Sequence, residues 1–279
     1  MSHPITSVPA NDQAPETRRV WDEVGKIDPM NYILPGPGGT GARWNPDEFF
    51  ATGERSVELV LGRLEHLKIP VTFGTALDFG CGVGRLTQAL GARFALTYGV
   101  DVAPSMVNAA ERMNRRGPAC RYLVNPTEDL RAFQDATVDF LLSDIVLQHI
   151  RPRLALGYVS EFLRLLRPGG VAVFYLPGRR LHRGPASPFI AASNKIRYGT
   201  ASTMNYGVER EVTSRVIEQG GGRIIEVRVG DWLDRGQNLP SERPDLRTRL
   251  WVAMTYQLSD QWERSTYLVQ KSGTSHGPP

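Results

Sequence analysis

The chain has 279 residues, 41% hydrophobic and 22% charged, which suits one large domain or two small ones and excludes wholesale disorder. No apolar run reaches the roughly 20 residues that a bilayer span requires, and two cysteines, Cys81 and Cys120, exclude a disulfide framework or a cysteine-rich zinc site. The net charge is +4, but only four of the 33 basic residues are lysines, and no dense basic stripe with interleaved aromatics marks a nucleic-acid binder.

The opening stretch MSHPITSVPANDQ has no basic segment followed by an apolar core, so no signal peptide is expected and a cytoplasmic location follows by default. An amphipathic helix is expected from about Ala14, carrying Val20, Trp21 and Val24. The run Pro35-Gly36-Pro37-Gly38-Gly39 fits neither helix nor central strand, so residues 30–44 read as a loop. Asn45-Pro46-Asp47 opens a second helix, and Val57, Val60, Leu61 and Leu64 give it one apolar face ending before Pro70. Residues 1–68 are thus expected to form a helical cap with a lid loop.

From Phe73 short apolar runs alternate with helical patterns. Strands are expected at 75–79, 96–100, 121–124, 138–143 and 170–176. Helices are expected at 85–92, 104–115, 128–135 and 152–166. This alternation predicts βαβ units and a mostly parallel sheet with helices on both faces. Residues 177–206 read as an irregular insertion and 231–263 as a second one, with segment 249–259 ambiguous between helix and strand. A helix at 208–219 and strands at 223–229 and 265–270 complete the domain, taken as 69–279. The basic cluster Arg179-Arg180-Leu181-His182-Arg183 reads as a solvated loop or as a contact for a phosphate or acidic substrate.

The strongest signal is Asp78-Phe79-Gly80-Cys81-Gly82-Val83-Gly84, between a strand and a helix. Glycines there let a ligand approach main-chain amides at the carboxyl end of the first strand. Asp101 ends the next strand, about 20 residues on, where an acid can accept hydrogen bonds from ribose hydroxyls. The dinucleotide fingerprint G-x-G-x-x-G fails in both registers, because Arg85 or Thr87 stands at its third glycine. An acid within the first strand, Asp78, suits a ligand with a positive amino group better than a diphosphate.

ALDFGCGVGRLT resembles motif I of the class I S-adenosylmethionine-dependent methyltransferases. YGVDVAPSMVNAA, VDFLLSDIVLQHI and FLRLLRPGGVAVFYLP resemble the second-, fourth- and fifth-strand motifs of the same superfamily, in the same order. The resemblance covers residues 73–177. It implies a Rossmann-like seven-stranded sheet whose last strand is antiparallel, with S-adenosyl-L-methionine as cofactor.

The resemblance also implies residue roles. Gly80, Cys81 and Gly82 would lie against the methionine part, with Asp78 reaching its amino group. Asp101 would hold the ribose, the other reading being an N-cap on the helix entered at Pro104. Met106 would pack beside the adenine, and Val102, Arg85, Ser143 and Asp144 would neighbour the cofactor. Thr127 and Glu128 would meet the adenine edge, although Pro126 stands at the usual acidic position. Glu128 and Asp129 read equally as first-turn helix acids. Cys81 reads as a packing residue rather than a nucleophile. His149 is the candidate general base, with a structural histidine as the other reading. Tyr32, Trp44, Tyr175, Tyr206 and His182 are weaker candidates for a substrate wall.

Ser143-Asp144-Ile145-Val146 departs from the Asn/Asp-Pro-Pro-aromatic motif of base amino-methylating enzymes. Leu176-Pro177-Gly178 lacks the carboxylate and amide of metal-dependent catechol-type enzymes, so no metal is expected. The remaining expectation is methyl transfer to a hydroxyl, or an amine, of a small molecule such as a sugar or natural product. Two alternatives stay open: a nicotinamide-dependent oxidoreductase, and a non-catalytic S-adenosylmethionine-binding module.

Overall fold

The computed structural model describes residues 14–34, 43–182, 206–229 and 261–273. The centre of the lid loop, most of the 177–206 insertion and segment 249–259 lie outside them. The N-terminal part holds α1 (Ala14–Ile27), α2 (Pro29–Ile33) and α3 (Pro46–His66). α3 starts where the sequence places it: Asn45 Oδ1 accepts from the Asp47 and Glu48 amides, and Pro46 needs no partner at the first position.

Five strands follow, with helices after all but β3 and β5: β1 (Thr75–Phe79), α4 (Arg85–Gly91), β2 (Leu96–Asp101), α5 (Pro104–Arg112), β3 (Cys120–Val124), β4 (Val138–Ser143), α6 (Pro152–Leu165) and β5 (Leu166–Tyr175). They are followed by β6 (Arg180–His182), α7 (Arg210–Gln219), β7 (Gly222–Val229), β8 (Gln261–Trp262) and β9 (Ser265–Lys271). The main sheet has seven strands in the order β3-β2-β1-β4-β5-β9-β7. β9 runs antiparallel to both its neighbours, and the other six strands are parallel to one another. The expected Rossmann-like sheet with one reversed last strand is what the chain forms.

The central strands are apolar at nearly every position because both faces are covered. Leu77, Leu141, Ala172, Phe174, Tyr267 and Val269 face Phe162 and Leu163 of α6 and Ile217 of α7. Ala76, Phe140, Leu142, Val171, Val173 and Leu268 face Val57, Val60 and Leu64 of α3 and Leu86 and Leu90 of α4. A third cluster seats the cap, joining Val24, Leu34, Trp44 and Phe49 to Val83, Ala103, Met106 and Ala109.

Four expectations are corrected. Residues 30–33, read as the start of a loop, belong to the short helix α2, which ends before the Pro-Gly run. Residues 128–135 form turns, not a helix. The Leu130 amide donates to Glu161 and the Leu130 and Phe133 carbonyls accept from Arg164, so side chains of α6 take the backbone groups a helix would have used. Glu128 and Asp129 are therefore not first-turn helix acids. β5 begins at Leu166 rather than Gly170, and Arg167-Pro168-Gly169-Gly170 forms a bulge between the Val138–Leu166 and Phe140–Val171 pairs. The 177–206 stretch is not wholly irregular, since β6 pairs with β8 in a two-stranded antiparallel ribbon beyond β5 and β9.

α3 crosses the start of α4 at Gly53, where an added Cβ would lie 2.2 Å from the Arg85 carbonyl oxygen. Alanine is the better helix former, yet here it meets backbone. Gly53→Ala is expected to lower stability by about 1–3 kcal/mol, the usual cost of overpacking. Urea unfolding checks this, and a gain in stability would show that α3 shifts freely.

Candidate functional site

The turn after β1 is fastened to the end of β2. The Val100 carbonyl accepts from the Gly80 and Cys81 amides at 2.7 and 3.0 Å. Asp101 Oδ2 accepts from the Gly82 amide and Oδ1 from the Ala103 amide, each at 2.9 Å. Gly80 and Gly82 have φ of +75° and +52°, and both lie under neighbouring side chains. A Cβ on Gly80 would lie 2.3 Å from Val146, and one on Gly82 would lie 2.5 Å from Ile33 of α2. Only glycine fits the turn at these two points.

Asp101 thus reaches the glycine turn itself. It also spans the bend into α5 rather than capping that helix at its N-cap Ala103. Burial raises its pKa, and the amides of Ala103 and Gly82 oppose that rise. Two amides leave lone pairs on the carboxylate for further donors. Asp78 is buried in β1 and accepts from Thr87 Oγ1 at 2.6 Å. Burial pushes its pKa up to about 7, against the Thr87 bond and the nearby Arg85. Cys81 is buried and its thiol is pushed well above the ordinary value, chiefly by burial, which makes it unreactive.

The other expected residues make the following contacts. Arg85 is buried against Ser56 Oγ at 3.2 Å and pairs with buried Asp144 at 3.5 Å, tying α3 and α4 to the end of β4. Met106 packs fully buried in the cap cluster. Val102 sits half-buried in the bend between β2 and α5. Thr127 and Glu128 are exposed beyond β3. Their loop is held by Asn125, whose amide donates to the Asp101 carbonyl at 2.8 Å and whose side chain donates to the Thr127 and Asp129 carbonyls. Tyr158 adds a bond to the Thr127 carbonyl at 3.0 Å. Ser143 is buried, and its Oγ has no partner among the described residues.

After β4 the chain turns sharply. Ile145 has φ +52°, a strained conformation for a β-branched residue. The turn lays Val146 on Gly80 and leads into a short 3₁₀ segment, Leu147–His149. The His149 ring meets Trp21 of α1 edge-on at 5.4 Å between centroids. Burial lowers its pKa to about 4, so the imidazole is neutral at neutral pH. Its Nε2 lies 3.0 Å from the Gln148 side-chain amide nitrogen, and its buried Nδ1 has no partner among the described residues. The Tyr206 amide donates to the Gln148 carbonyl at 2.7 Å, which brings that weaker candidate close. Trp44 is buried and bonded to the Leu34 carbonyl, Tyr32 packs against the cap cluster, and Tyr175 is buried at the end of β5. The His182 side chain lies outside the described residues.

Sequence reasoning did not pick out Trp21, Ile33, Thr87, Asn125, Val146 or Gln148. Asn125 carried a usable signal, a polar residue ending a strand before proline. The others show themselves only through contacts between distant segments.

The comparisons with known proteins agree with this arrangement. Residues 77–174 match the family described as a methyltransferase domain. The ubiquinone biosynthesis O-methyltransferase of Xylella fastidiosa strain 9a5c is 32% identical over 111 residues, 39% of this chain and 44% of that protein. The same-named enzyme of Xanthomonas campestris pv. campestris strain B100 is 30% identical over 128 residues, 45% of this chain and 51% of that protein. The matches thus span about half the length of these curated relatives. Magnesium protoporphyrin IX methyltransferase from Synechocystis PCC 6803, with bound S-adenosylhomocysteine, superposes with a TM-score of 0.56 at 17% identity, covering 94% of this chain and all of that one. A Haemonchus contortus phosphoethanolamine N-methyltransferase gives 0.58 at 17% identity, covering 92% of this chain and 60% of that one. The fold is that of these methyltransferase structures, and residues 77–174 match a methyltransferase domain. The nicotinamide-dependent alternative finds no support in these matches.

The Arg85–Asp144 pair is shielded from water, so removing one partner leaves the other charge uncompensated. Asp144→Ala is expected to cost about 3–5 kcal/mol, read from thermal or urea unfolding. The double change Arg85→Met with Asp144→Leu should recover most of it. A single variant as stable as the parent would show the pair to be solvated.

Proposed function

We propose that the chain moves the methyl group of S-adenosylmethionine to a small organic acceptor. The observation that carries this reading is the Asp101 carboxylate, held by the glycine turn's own amide at the end of β2. That arrangement sets an acceptor of ribose hydroxyl bonds beside a turn with no side chains of its own at Gly80 and Gly82. The residues fit such a cofactor in charge as well. Asp78 is a buried carboxyl whose one cationic influence among the described residues is Arg85, itself paired with Asp144, and an α-ammonium group would favour its ionised form. Asn125 carries the Thr127–Glu128 loop to the adenine side.

The bound sulfonium supplies an already activated methyl group. The protein's part is to hold the acceptor in line and to exclude water. Val146 and Ile33 provide an apolar wall over the turn, and Trp21 backs the His149 ring. His149, on the same loop as Val146, is the base in this reading: its imidazole is neutral and takes the acceptor's proton as the new bond forms. Oxygen is the favoured acceptor atom, on the name of the O-methyltransferase relatives, with amines second. A sugar or natural-product hydroxyl remains the proposed class, with no nucleic acid as partner. We place the domain boundary between a cap at 1–68 and the methyltransferase domain at 69–279.

Two measurements test the cofactor site. Asp101→Asn keeps the side chain's shape and is expected to weaken S-adenosylhomocysteine binding by about 1.5–3 kcal/mol, the worth of charged hydrogen bonds. Unchanged affinity in calorimetry removes the ribose assignment. The second concerns Asp78, whose pKa of about 7 in the free protein should fall when an ammonium group binds. Binding then releases a proton, so affinity should rise from about pH 5.5 to 7.5 and level off above. In Asp78→Asn that rise should vanish. A flat profile in the parent protein would mean that the amino group sits elsewhere.

A further inference from the structure

His149 leaves one question that its burial sharpens. A neutral imidazole carries one proton, and only the nitrogen without it can act as a base. The two ring nitrogens here have unlike surroundings. Nε2 faces the Gln148 side-chain amide at 3.0 Å, while Nδ1 is buried and faces no partner among the described residues. Trp21 packs edge-on against the ring at 5.4 Å and limits its turning about the Cβ–Cγ bond. The Gln148 main chain is itself held, its carbonyl accepting from the Tyr206 amide at 2.7 Å.

A glutamine amide presents either end by a half-turn of its terminal bond, at little steric cost. With the amide nitrogen on Nε2, the proton sits on Nδ1 and becomes a buried donor with no acceptor. With the amide oxygen on Nε2–H, Nδ1 keeps its lone pair. Orphaned buried donors are the rarer and costlier state. Burial is the sole cause of the depressed pKa, so no charged side chain among the described residues selects the tautomer in their place.

We propose that Gln148 is a positioning residue: its amide oxygen fixes the proton of His149 on Nε2 and so presents the Nδ1 lone pair to the acceptor's hydroxyl. This rests on the reading of His149 as the base. The step balances simply. The acceptor's O–H bond breaks as its oxygen bonds the methyl carbon, Nδ1 takes the proton, and the sulfonium leaves as a neutral thioether. The resulting imidazolium keeps its Nε2–H bond to Gln148. Trp21 is the second positioning residue, holding the ring plane.

The test needs no acceptor. In protein carrying nitrogen-15 histidine, saturated with S-adenosylhomocysteine, two-bond correlation spectra distinguish the tautomers, and loss of a signal in His149→Gln assigns it. The expected result is Nε2–H as the main tautomer. In Gln148→Leu its excess over the other form should drop by about fivefold, the factor that one ordinary hydrogen bond gives. Gln148→Glu should keep Nε2–H and raise the histidine's pKa by at least about one unit, since a carboxylate stabilises the imidazolium. Cofactor binding by each variant shows that it folds. Nδ1–H as the main form in the parent, or a tautomer ratio indifferent to Gln148→Leu, overturns the proposal. Failure of the underlying reading looks different: with an acceptor in hand, His149→Gln then keeps its rate and its pH profile, whatever the tautomer.

Discussion

Everything at the carboxyl edge of the sheet hangs on the last two residues of β2. The Val100 carbonyl takes two amides of the glycine turn, the Asp101 side chain takes a third amide and that of Ala103, and the Asp101 carbonyl takes the Asn125 amide. Three strand ends, β1, β2 and β3, are thereby locked to one dipeptide. Burying a carboxylate there costs several kcal/mol when it lacks partners, and the amides that meet it also hold the turn in the left-handed path its glycines allow. Fold and site share these bonds, and neither would keep its geometry without them.

The other buried charges divide by how they are compensated. Asp144 has Arg85, and the pair joins the cap helix α3 to the end of β4 through Ser56. Asp78 has the Thr87 hydroxyl and backbone and a distant Arg85, but burial outweighs them and the group holds its proton up to neutral pH. Its sign is the reverse of an ordinary salt-bridged aspartate. With a raised folded pKa it favours the folded state less as pH climbs from the usual carboxylate value to about 7. His149 acts at the other end of the scale. With its pKa depressed to about 4, folding is disfavoured as pH falls from the usual histidine value toward that figure. A stability cost carried at two buried titratable groups, at the end of β1 and in the loop after β4, is a pattern common at ligand sites.

Much of this was legible in the sequence, for reasons that also mark the limit. Strands β1 and β4 are short, apolar and bounded by turns, and the spacing from the glycine run to Asp101 is set by one βαβ unit. Such features are local. The failed helix at 128–135 is not: its acids look like a helix start, but Glu161 and Arg164 of α6 compete for the same backbone groups and win. The bulge at Arg167–Gly170 escaped because a Pro-Gly-Gly run reads as a turn unless the neighbouring strand is known. Trp21, Ile33 and Gln148 escaped because their meaning is pairwise. Nothing in α1 announces that its tryptophan will rest on a histidine 128 positions later (149 − 21).

The cap's attachment has two unlike halves. On one side it is polar and aimed: Asp22 accepts from the Ser105 amide at the start of α5, and the Ser105 hydroxyl returns a bond to the Asp22 carbonyl. A carboxylate at that helix start also meets the positive end of its dipole. On the other side the contact is apolar, with Ile33 lying over Gly82 and Trp21 against His149. Apolar contact has no direction and is exchanged at little cost for another apolar surface. Polar contact is lost only with its full penalty. The Asp22–Ser105 bonds fix the cap to α5 in register, and the apolar contacts then settle Ile33 over Gly82 and Trp21 against His149.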